Sequence, residues 1–562
     1  MLDQNPPTQA SLINWRTLQP RSPSEPLAEV IWRSRQIVDS NFFDFNYEKN
    51  IHNPFLFKDM EKAVIRIQTA INNKENIIIA GDYDLDGISG TAVLLDLFRH
   101  IGYPVHYKLP HRIHDGYGLN ARTIVQAKKE KISVIITVDN GISCLQEIVL
   151  AKSLGIDVII TDHHTIPEQI PPAFAILHPK IIQETYPDHE LTGSGVAYKL
   201  ACALALKLLP ASEASAFCKW ALDLATLGTI ADMGPLLGEN RQIVHFGLQV
   251  LAKQRRPGLK ALLAIAGHND PNCSAETVGF KLGPRLNAAG RMAEASLSLQ
   301  LLLASDALEA ERLALALEEL NNQRKLVAEN AFNLAETLVQ KTDTSGPVLV
   351  ASSDQFHPGV IGLVAGKLAE KYQRPVAILE QREDVIVGSM RSIPQINLME
   401  IIDELKPLLL RSGGHAQAAG FSLAPEQKMQ FMEALAEFCS YYLPLPPREL
   451  LLDTEIYPSD VTLETYTSLE KFEPFGIGNS KPLFLIKSVK PTMVQPLGKD
   501  GKHWKVQFSH SLSGQIITAI AFNTNQQAFQ GELDLAVRMN VNRWNNTSTV
   551  QLIIEHIKSA LD

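Results

Sequence analysis

Carboxylates and imidazoles gather at three points in this chain, each directly after a short apolar run. Ile77-Ile78-Ile79-Ala80 leads into Gly81-Asp82-Tyr83-Asp84-Leu85-Asp86-Gly87. Val134-Ile135-Ile136-Thr137-Val138 leads into Asp139-Asn140-Gly141, and Asp157-Val158-Ile159-Ile160-Thr161 leads into Asp162-His163-His164-Thr165. Such side chains are oxygen and nitrogen ligands for divalent cations. Delivered together at the carboxyl edge of a parallel sheet, where open α/β folds bind ligands, they would assemble a metal site. A single Asp after a strand is more often the N-cap of the next helix, and for each one taken alone that reading stands. Taken together, Asp84, Asp86, Asp139 and His163 crowd like charges that would hold protons unless a cation neutralised them. Two cations bridged by a carboxylate remove the repulsion, activate water and clamp a phosphoryl oxygen. Asp82 stands between a cap and a ligand. His163 and His164 are adjacent, so they cannot point the same way on extended backbone. One is read as a ligand and the other as facing a substrate phosphate or leaving group.

The elements that must position these groups alternate. Strands are expected at 77–80, 104–108, 133–138, 157–161 and 174–177, with helices at about 89–101, 120–129 and 143–153. Strand–helix alternation implies a mainly parallel sheet. A helical stretch follows over about 194–265. From Ser305 to about Gln340 the chain has neither Gly nor Pro and is rich in Ala, Leu and Glu, so one long connector helix is expected. A second α/β unit follows to about 440, ending at Leu443-Pro444-Leu445-Pro446-Pro447. The remainder carries five short β-type runs, at 483–486, 504–508, 516–522, 533–537 and 550–554, which suit a small barrel of the OB type. The expected organisation is an N-terminal arm (1–50), a catalytic α/β domain (51–300), the connector (301–342), a second α/β domain (343–442) and the barrel (450–562).

Bulk properties narrow the class. The 562 residues are 45% hydrophobic and 20% charged, as in ordinary globular proteins. Five scattered cysteines form no CxxC pair, which argues against a zinc ribbon, an iron–sulfur site or a disulfide framework and suits a reducing, cytoplasmic setting. No signal peptide or membrane span is read. The net charge of −9 argues weakly against a nucleic-acid partner, but local patches matter more. Between Lys481 and Lys505 lie six lysines and one acid, Asp500.

Here the motifs acquire a family. Asp-Tyr-Asp-Leu-Asp-Gly (82–87), Val-Asp-Asn-Gly (138–141) and Asp-His-His (162–164) resemble the first three motifs of the DHH phosphoesterase superfamily, in the form used by its RecJ branch. Gly228-Thr229-Ile230-Ala231-Asp232 is similar to the fourth motif, and Gly283-Pro284-Arg285-Leu286-Asn287-Ala288-Ala289-Gly290-Arg291 to the RecJ signature before the connector. His357-Pro358-Gly359-Val360-Ile361-Gly362 and Ser412-Gly413-Gly414-His415 resemble the associated DHHA1 domain, and Phe475-Gly476-Ile477-Gly478-Asn479 the entry to the family's OB domain. The resemblance covers roughly residues 50–562. It implies metal ligands at Asp84, Asp86, Asp139, His163 and Asp232 with Asp82 close by, two divalent ions (Mn²⁺ or Mg²⁺), and His164 against the scissile phosphate. Catalysis is thus assigned to Asp84, Asp139, His163 and His164. The implied activity is 5′ to 3′ degradation of single-stranded DNA to mononucleotides in repair and recombination, by a monomer working with single-strand-binding protein and a RecQ-type helicase.

Further residues point to the substrate. The glycines of Gly413-Gly414-His415 let backbone N–H groups approach a phosphate, or simply make a tight turn. Arg391 beside Ser389 suits a terminal phosphate, since Arg binds phosphate bidentately, although an isolated surface Arg is the bland alternative. By resemblance these two hold the 5′-phosphate, while Arg112, Arg285, Asn287 and Arg291 contact the strand. In the barrel, Trp504, Phe508 and Trp544 are candidates for base stacking, although aromatics in small barrels are more often core. Gly193-Ser194-Gly195 begins like a dinucleotide loop but lacks the third glycine, and no P-loop is present. Two other readings compete: a DHH phosphatase or short-oligonucleotide hydrolase, and a non-catalytic single-strand-binding scaffold. The barrel argues against the first and the intact ligand set against the second.

Overall fold

The computed structural model describes residues 13–37, 41–112, 118–341, 344–445, 447–498, 501–544 and 547–560. They form two compact units, residues 46–445 in one and residues 1–45 together with 446–562 in the other. The first elements among the described residues are β1 (Asn14–Thr17) and α1 (Leu27–Ser34), which belong to the second unit.

In the first unit, β2 (Asn76–Gly81), β3 (His106–Lys108), β4 (Ile132–Val138), β5 (Asp157–Thr161) and β6 (Ala175–Leu177) make an all-parallel sheet in the order β3-β2-β4-β5-β6. The central strands are near-continuous Ile and Val because both faces are covered. Ile77, Ile79, Val134, Ile136 and Ile159 face the core shared with the helices, while Ile78, Ile135, Val158 and Ile160 face a second, smaller cluster. After β2 comes α2 (Leu85–His100), buried at every residue from Leu85 to Leu94. It starts four residues earlier than the apolar pattern suggested, because Asp84 caps it. Against it pack α3 (Gly193–Leu208) and α4 (Leu222–Ala231).

A widened π-helical turn, Thr277–Leu282, runs directly into α5 (Gly283–Met292). Pro284 has no N–H to offer Phe280, four residues earlier, and the ladder shifts so that Gly283 N–H donates to the Val278 carbonyl instead. The connector α6 (Ala307–Gln340) follows and is capped by Asp306, whose side chain accepts from Glu309 N–H. A second, mixed sheet comprises β7 (Leu349–Ser353), β8 (Val376–Gln381), β9 (Ile386–Arg391), β10 (Arg411–His415) and β11 (Ala418–Leu423), ordered β10-β11-β9-β8-β7. Only β7 and β8 are parallel. Helix α7 (Ile361–Tyr372) covers one face of it.

The second unit holds β12 (Glu449–Leu452), β13 (Thr454–Glu455), β14 (Phe484–Leu497), β15 (His503–His510), β16 (Ile516–Ala521), β17 (Leu533–Trp544) and β18 (Thr547–Ser559). The last five close into a barrel, β14-β15-β16-β18-β17, with β17 returning to β14. Residues 13–37 and 41–45, part of the stretch read from sequence as a surface arm, are built into this unit. β1 pairs in parallel with β12, and Leu27, Ile31 and Phe42 enter the barrel's core cluster. Arg21 grips Asp460 through both terminal nitrogens, at 2.6 and 2.8 Å. Trp504 and Phe508, two of the proposed stacking aromatics, point into the barrel core, and Trp504 Nε1 donates to the Thr524 carbonyl at 2.8 Å. The Trp544 side chain, Lys499 and Asp500 lie outside the described residues. Among the described residues no helix is long and apolar enough to cross a membrane.

Candidate metal centre

In the parallel sheet Gly81 lies opposite Val138, and Val138 opposite Thr161, so three strands end at one level. The strand order reverses between β2 and β4, since β3 lies on the far side of β2, and a crevice opens at that switch point. Asp82 and Asp84 leave β2 on one side of it, Asp139 leaves β4 on the other, and His163 follows β5. Asp232 arrives at the C-terminal end of α4.

These groups form two triads, Asp86–His163–Asp232 and Asp82–Asp84–Asp139, in each of which the ligand atoms lie within 4.8 Å of one another, and Asp139 and His163 meet His164 in a third. Asp139 Oδ1 and His163 Nε2, 3.2 Å apart, join the triads. His163 Nε2 is also 3.5 Å from Asp232 Oδ2 and 3.8 Å from Asp86 Oδ2. Asp84 does both jobs weighed for it. Its Oδ1 caps α2, accepting from Asp86 and Gly87 N–H at 3.0 and 3.2 Å, and the residue still belongs to a triad. Asp139 holds a left-handed backbone, φ +62°, which Asp tolerates better than most residues. Its N–H donates to the Thr161 carbonyl at 2.9 Å.

The electrostatics fit divalent cations. Burial, followed by repulsion from neighbouring carboxylates, pushes Asp82 and Asp139 well above the ordinary carboxyl range, and pushes Asp232 up to about 8. Burial and then the His164 charge push His163 down to about 3, leaving a neutral imidazole. Asp82 Oδ1 and His163 Nε2 are buried without a hydrogen-bond partner among the described residues. Acids that repel, beside an imidazole with an unused lone pair, are what a cation would satisfy.

Two glycines keep the site open. A Cβ on Gly193 would sit 2.5 Å from Asp139 Oδ1, and one on Gly228 would sit 2.4 Å from Asp86 Oδ1. The Gly193-Ser194-Gly195 segment begins α3, and the N–H groups of Gly193 and Ser194 donate to the Asp86 carboxylate at 2.7 and 3.0 Å. This helix start therefore binds an anion of the protein's own.

His164 is oriented by a residue that sequence reading did not single out. Asp162 Oδ1 lies 2.8 Å from His164 Nδ1, and the same carboxylate accepts N–H groups from Ile142, His163 and His164. Against burial, the His164 hydrogen bond and charge hold Asp162 well below the ordinary carboxyl range. Burial lowers His164, but the Asp162 hydrogen bond and charge outweigh it and raise the imidazole to about 9. From the mixed sheet, His415 stacks on His164 with ring centres 5.6 Å apart and planes at 23°.

The predicted substrate residues divide. Arg391 Nη1 donates to Ser389 Oγ at 3.1 Å, and a Cβ on Gly362, in the first turn of α7, would come within 2.9 Å of its Nη2. Arg112 lies over the Tyr83 ring, 3.9 Å from its centre, and Arg291 donates to the Gly359 carbonyl at 3.2 Å. Gly414, at φ +151°, has no room for a Cβ, which would meet the Ala418 carbonyl at 2.2 Å, whereas a Cβ on Gly413 would meet nothing. Arg285 and Asn287 are engaged elsewhere. Arg285 pairs with Glu318 of α6 and donates to the Lys281 carbonyl, and Asn287 Oδ1 accepts from Leu85 N–H at 2.9 Å. Their evident work is to hold α5 against α6 and the start of α2.

Fold and site together define a phosphoesterase of the DHH class. Family models match three stretches: the DHH family N-terminal domain over residues 76–229, the DHHA1 domain over 345–440 and the RecJ OB domain over 452–556. The chain is 36% identical over 521 residues to the single-stranded-DNA-specific exonuclease RecJ of Bacillus subtilis, covering 90% of this chain but 64% of that protein's length. It is 34% identical to the Escherichia coli RecJ exonuclease, covering 89% of this chain and 90% of that one. The crystal structure of Thermus thermophilus RecJ in complex with Mn²⁺ superposes with a TM-score of 0.84 at 29% identity, covering 97% of this chain and 80% of that one. The Mg²⁺ complex of the same protein superposes at 0.78, with 27% identity and 97% and 78% coverage. The chain belongs to the RecJ family.

Proposed function

We propose that this chain is a metal-dependent exonuclease that degrades single-stranded DNA from its 5′ end to mononucleotides, in DNA repair and recombination. The observation that carries the reading is the pair of joined triads at the sheet's carboxyl edge, with Arg391, Ser389 and the α7 N-terminus in the same unit. Two divalent cations, Mn²⁺ or Mg²⁺, held by Asp86, His163 and Asp232 on one side and Asp82, Asp84 and Asp139 on the other, would supply an activated water and neutralise phosphoryl charge.

The rest is done by the chain's own groups. Asp139, next to His163, is placed to serve both triads. His164, with Nδ1 committed to Asp162, presents Nε2 to the scissile phosphate and holds a proton for the leaving oxygen. Arg391 and Ser389, beside the uncapped first turn of α7, take the terminal phosphate. Gripping that end sets polarity, because the bond presented to the triads is then the one nearest the 5′ terminus. Gly413 leaves backbone open to the strand, while Arg112 and Arg291 add charge. Arg285 and Asn287 support the site from behind. The barrel contributes single-strand binding. The finer expectations are a monomer in the cytoplasm, with single-strand-binding protein and a RecQ-type helicase as partners.

The test is digestion of a single-stranded oligonucleotide labelled at either end, with Mn²⁺ or Mg²⁺. Mononucleotide release from the 5′ end only, with blunt duplex left intact, is expected. Cleavage of dinucleotides but not long strands would move the protein to the short-oligonucleotide hydrolases. Binding without cleavage would make it a scaffold.

A further inference from the structure

Strand β5 ends against β6, where Thr161 lies opposite Leu177 and the Asp162 N–H donates to the Leu177 carbonyl at 3.2 Å. Past that rung, Asp162-His163-His164 follows β5 and His178-Pro179-Lys180 follows β6. One side chain links the two segments. His178 Nε2 lies 2.8 Å from the His164 carbonyl oxygen, and its Nδ1 accepts the Lys180 N–H at 3.1 Å. A neutral imidazole accepting at Nδ1 carries its proton on Nε2, so His178 donates to His164. The residue is fully buried. Its own segment is fixed in turn, with His189 Nδ1 2.6 Å from the Pro179 carbonyl oxygen and Lys180 Nζ 3.1 Å from Glu190 Oε2.

His164 is therefore held by its ring nitrogen, its ring face and its main chain. Asp162 takes Nδ1 at 2.8 Å, the His415 ring lies 5.6 Å away centre to centre, and His178 takes the carbonyl. The Asp162 contact is internal to the turn. Alone it sets the tautomer and direction of the ring, but not where the turn stands against the triads. That position is set from both sides. The Ile142 N–H, after β4, holds Asp162 Oδ2 at 2.9 Å, and His178, after β6, holds the His164 end. The turn is thus spanned between the two strands that flank β5. A proton donor must stand within hydrogen-bond reach of the atom it serves, and a misplacement of about 1 Å can cost on the order of a hundredfold in rate.

We propose that His178 is a positioning residue for the hydrolysis, holding the His164 carbonyl so that the His164 ring meets the leaving oxygen. The inference rests on the exonuclease reading above, with His164 at the scissile phosphate. His178 belongs to none of the three ligand triads, so its effect on the reaction passes through His164.

The experiment is a double-mutant cycle on the full-length protein with Mn²⁺. It compares wild type, His178→Leu, His164→Ala and the two combined, with His178→Gln as the conservative variant and thermal melting to report folding. Gln carries an amide N–H₂ to the reach of Nε2, whereas Leu fills the space without a donor. With His164 present, His178→Leu should lower kcat on a 5′-labelled single strand roughly 10–100-fold, while KM and the Mn²⁺ affinity from calorimetry stay within a few-fold. Gln should regain most of the loss, and in the His164→Ala background Leu should cost nothing further. An equal loss in both backgrounds would overturn the inference, as would an unchanged kcat, a Gln variant no better than Leu, or Mn²⁺ affinity falling as far as kcat. If Leu does not fold, His178→Ala takes its place in the cycle. Wild type that cuts dinucleotides alone would overturn the exonuclease reading, and the same cycle on a dinucleotide would still decide His178. Wild type that cuts nothing would also overturn that reading, and crystal structures of wild type and His178→Leu then decide. A His164 ring displaced in the variant supports the inference, and one unmoved overturns it.

Discussion

Asp139 Oδ1 lies 3.2 Å from His163 Nε2, and this contact joins the two triads across the ends of β4 and β5. A residue serving both triads should be more sensitive than a ligand of one. Asp139→Asn is the informative change, because Asn keeps the shape and tolerates the left-handed backbone at φ +62° that Ala would strain. Activity should fall by more than the roughly 10–100-fold typical of groups behind a metal's ligands. Mn²⁺ affinity measured by calorimetry should fall with it, while the metal-free protein melts no lower than wild type, since one of several repelling carboxylates has gone. Unaltered Mn²⁺ affinity would remove Asp139 from the ligand set.

The same crowding makes metal binding depend on pH. Asp232 is raised from an ordinary 3.8 to about 8, by burial first and then by Asp86 and Asp84, and Asp82 and Asp139 are raised as well. Between pH 4 and 8 the metal-free folded protein therefore holds more protons than the unfolded chain, and its stability falls as pH rises through that window. A cation must displace those protons, so its affinity rises over the same range. The gain in Tm on adding Mn²⁺, against an EDTA control, should be larger at pH 8.5 than at pH 6. A gain independent of pH would mean that the carboxylates are already ionised without metal.

Most of the crevice was legible because its acids and His163 directly follow β-type runs, and strand ends converge wherever a sheet is parallel. What stayed hidden depended on distant or crowded partners. Asp232 ends a helix and looks like any other helical acid without the family motif. Asp162 is part of the Asp-His-His run, yet its job is set by four donors that only the folded chain brings to it. Arg285 and Asn287 lie in a signature that reads as substrate-binding, but the first meets Glu318 and the second meets Leu85. The N-terminal segment carries too little apolar periodicity to announce that β1 pairs with β12, more than four hundred residues away. The alternation of Trp504, Val506 and Phe508 places three apolar side chains on one face of β15, without saying whether that face meets the core or a bound strand.

The Asp162–His164 pair should separate orientation from ligation. In Asp162→Asn, an amide N–H₂ would face donors now served by a carboxylate oxygen, so His164 would lose both its fixed tautomer and its raised pKa. Loss of a positioned proton donor typically costs roughly 10²–10⁴-fold in rate. The fall should appear in kcat, with Mn²⁺ affinity kept within a few-fold, because Asp162 belongs to neither joined triad. Should metal affinity fall as far as kcat, Asp162 acts on the cations rather than on His164.

With Trp504 and Phe508 in the core, a strand-binding role for the barrel moves to its outer face. There, outward positions of β15 carry His503, Lys505, Gln507 and Ser509, and those of β16 carry Ile516, Thr518 and Ile520, with Phe522 just beyond and no acid among them. Phe522 is 52% exposed, with its ring 5.4 Å from that of His503. Base stacking on an exposed ring is worth about 1–3 kcal/mol per base, so Phe522→Ala should raise KM for long strands while dinucleotide cleavage keeps its rate. Lys505→Glu should do the same and flatten the salt dependence of strand binding. Trp504→Ala should instead destabilise the barrel by about 3–5 kcal/mol, as a large core truncation does, lowering the melting transition. If Phe522→Ala and Lys505→Glu leave long-strand KM and its salt dependence untouched, the strand does not cross this face.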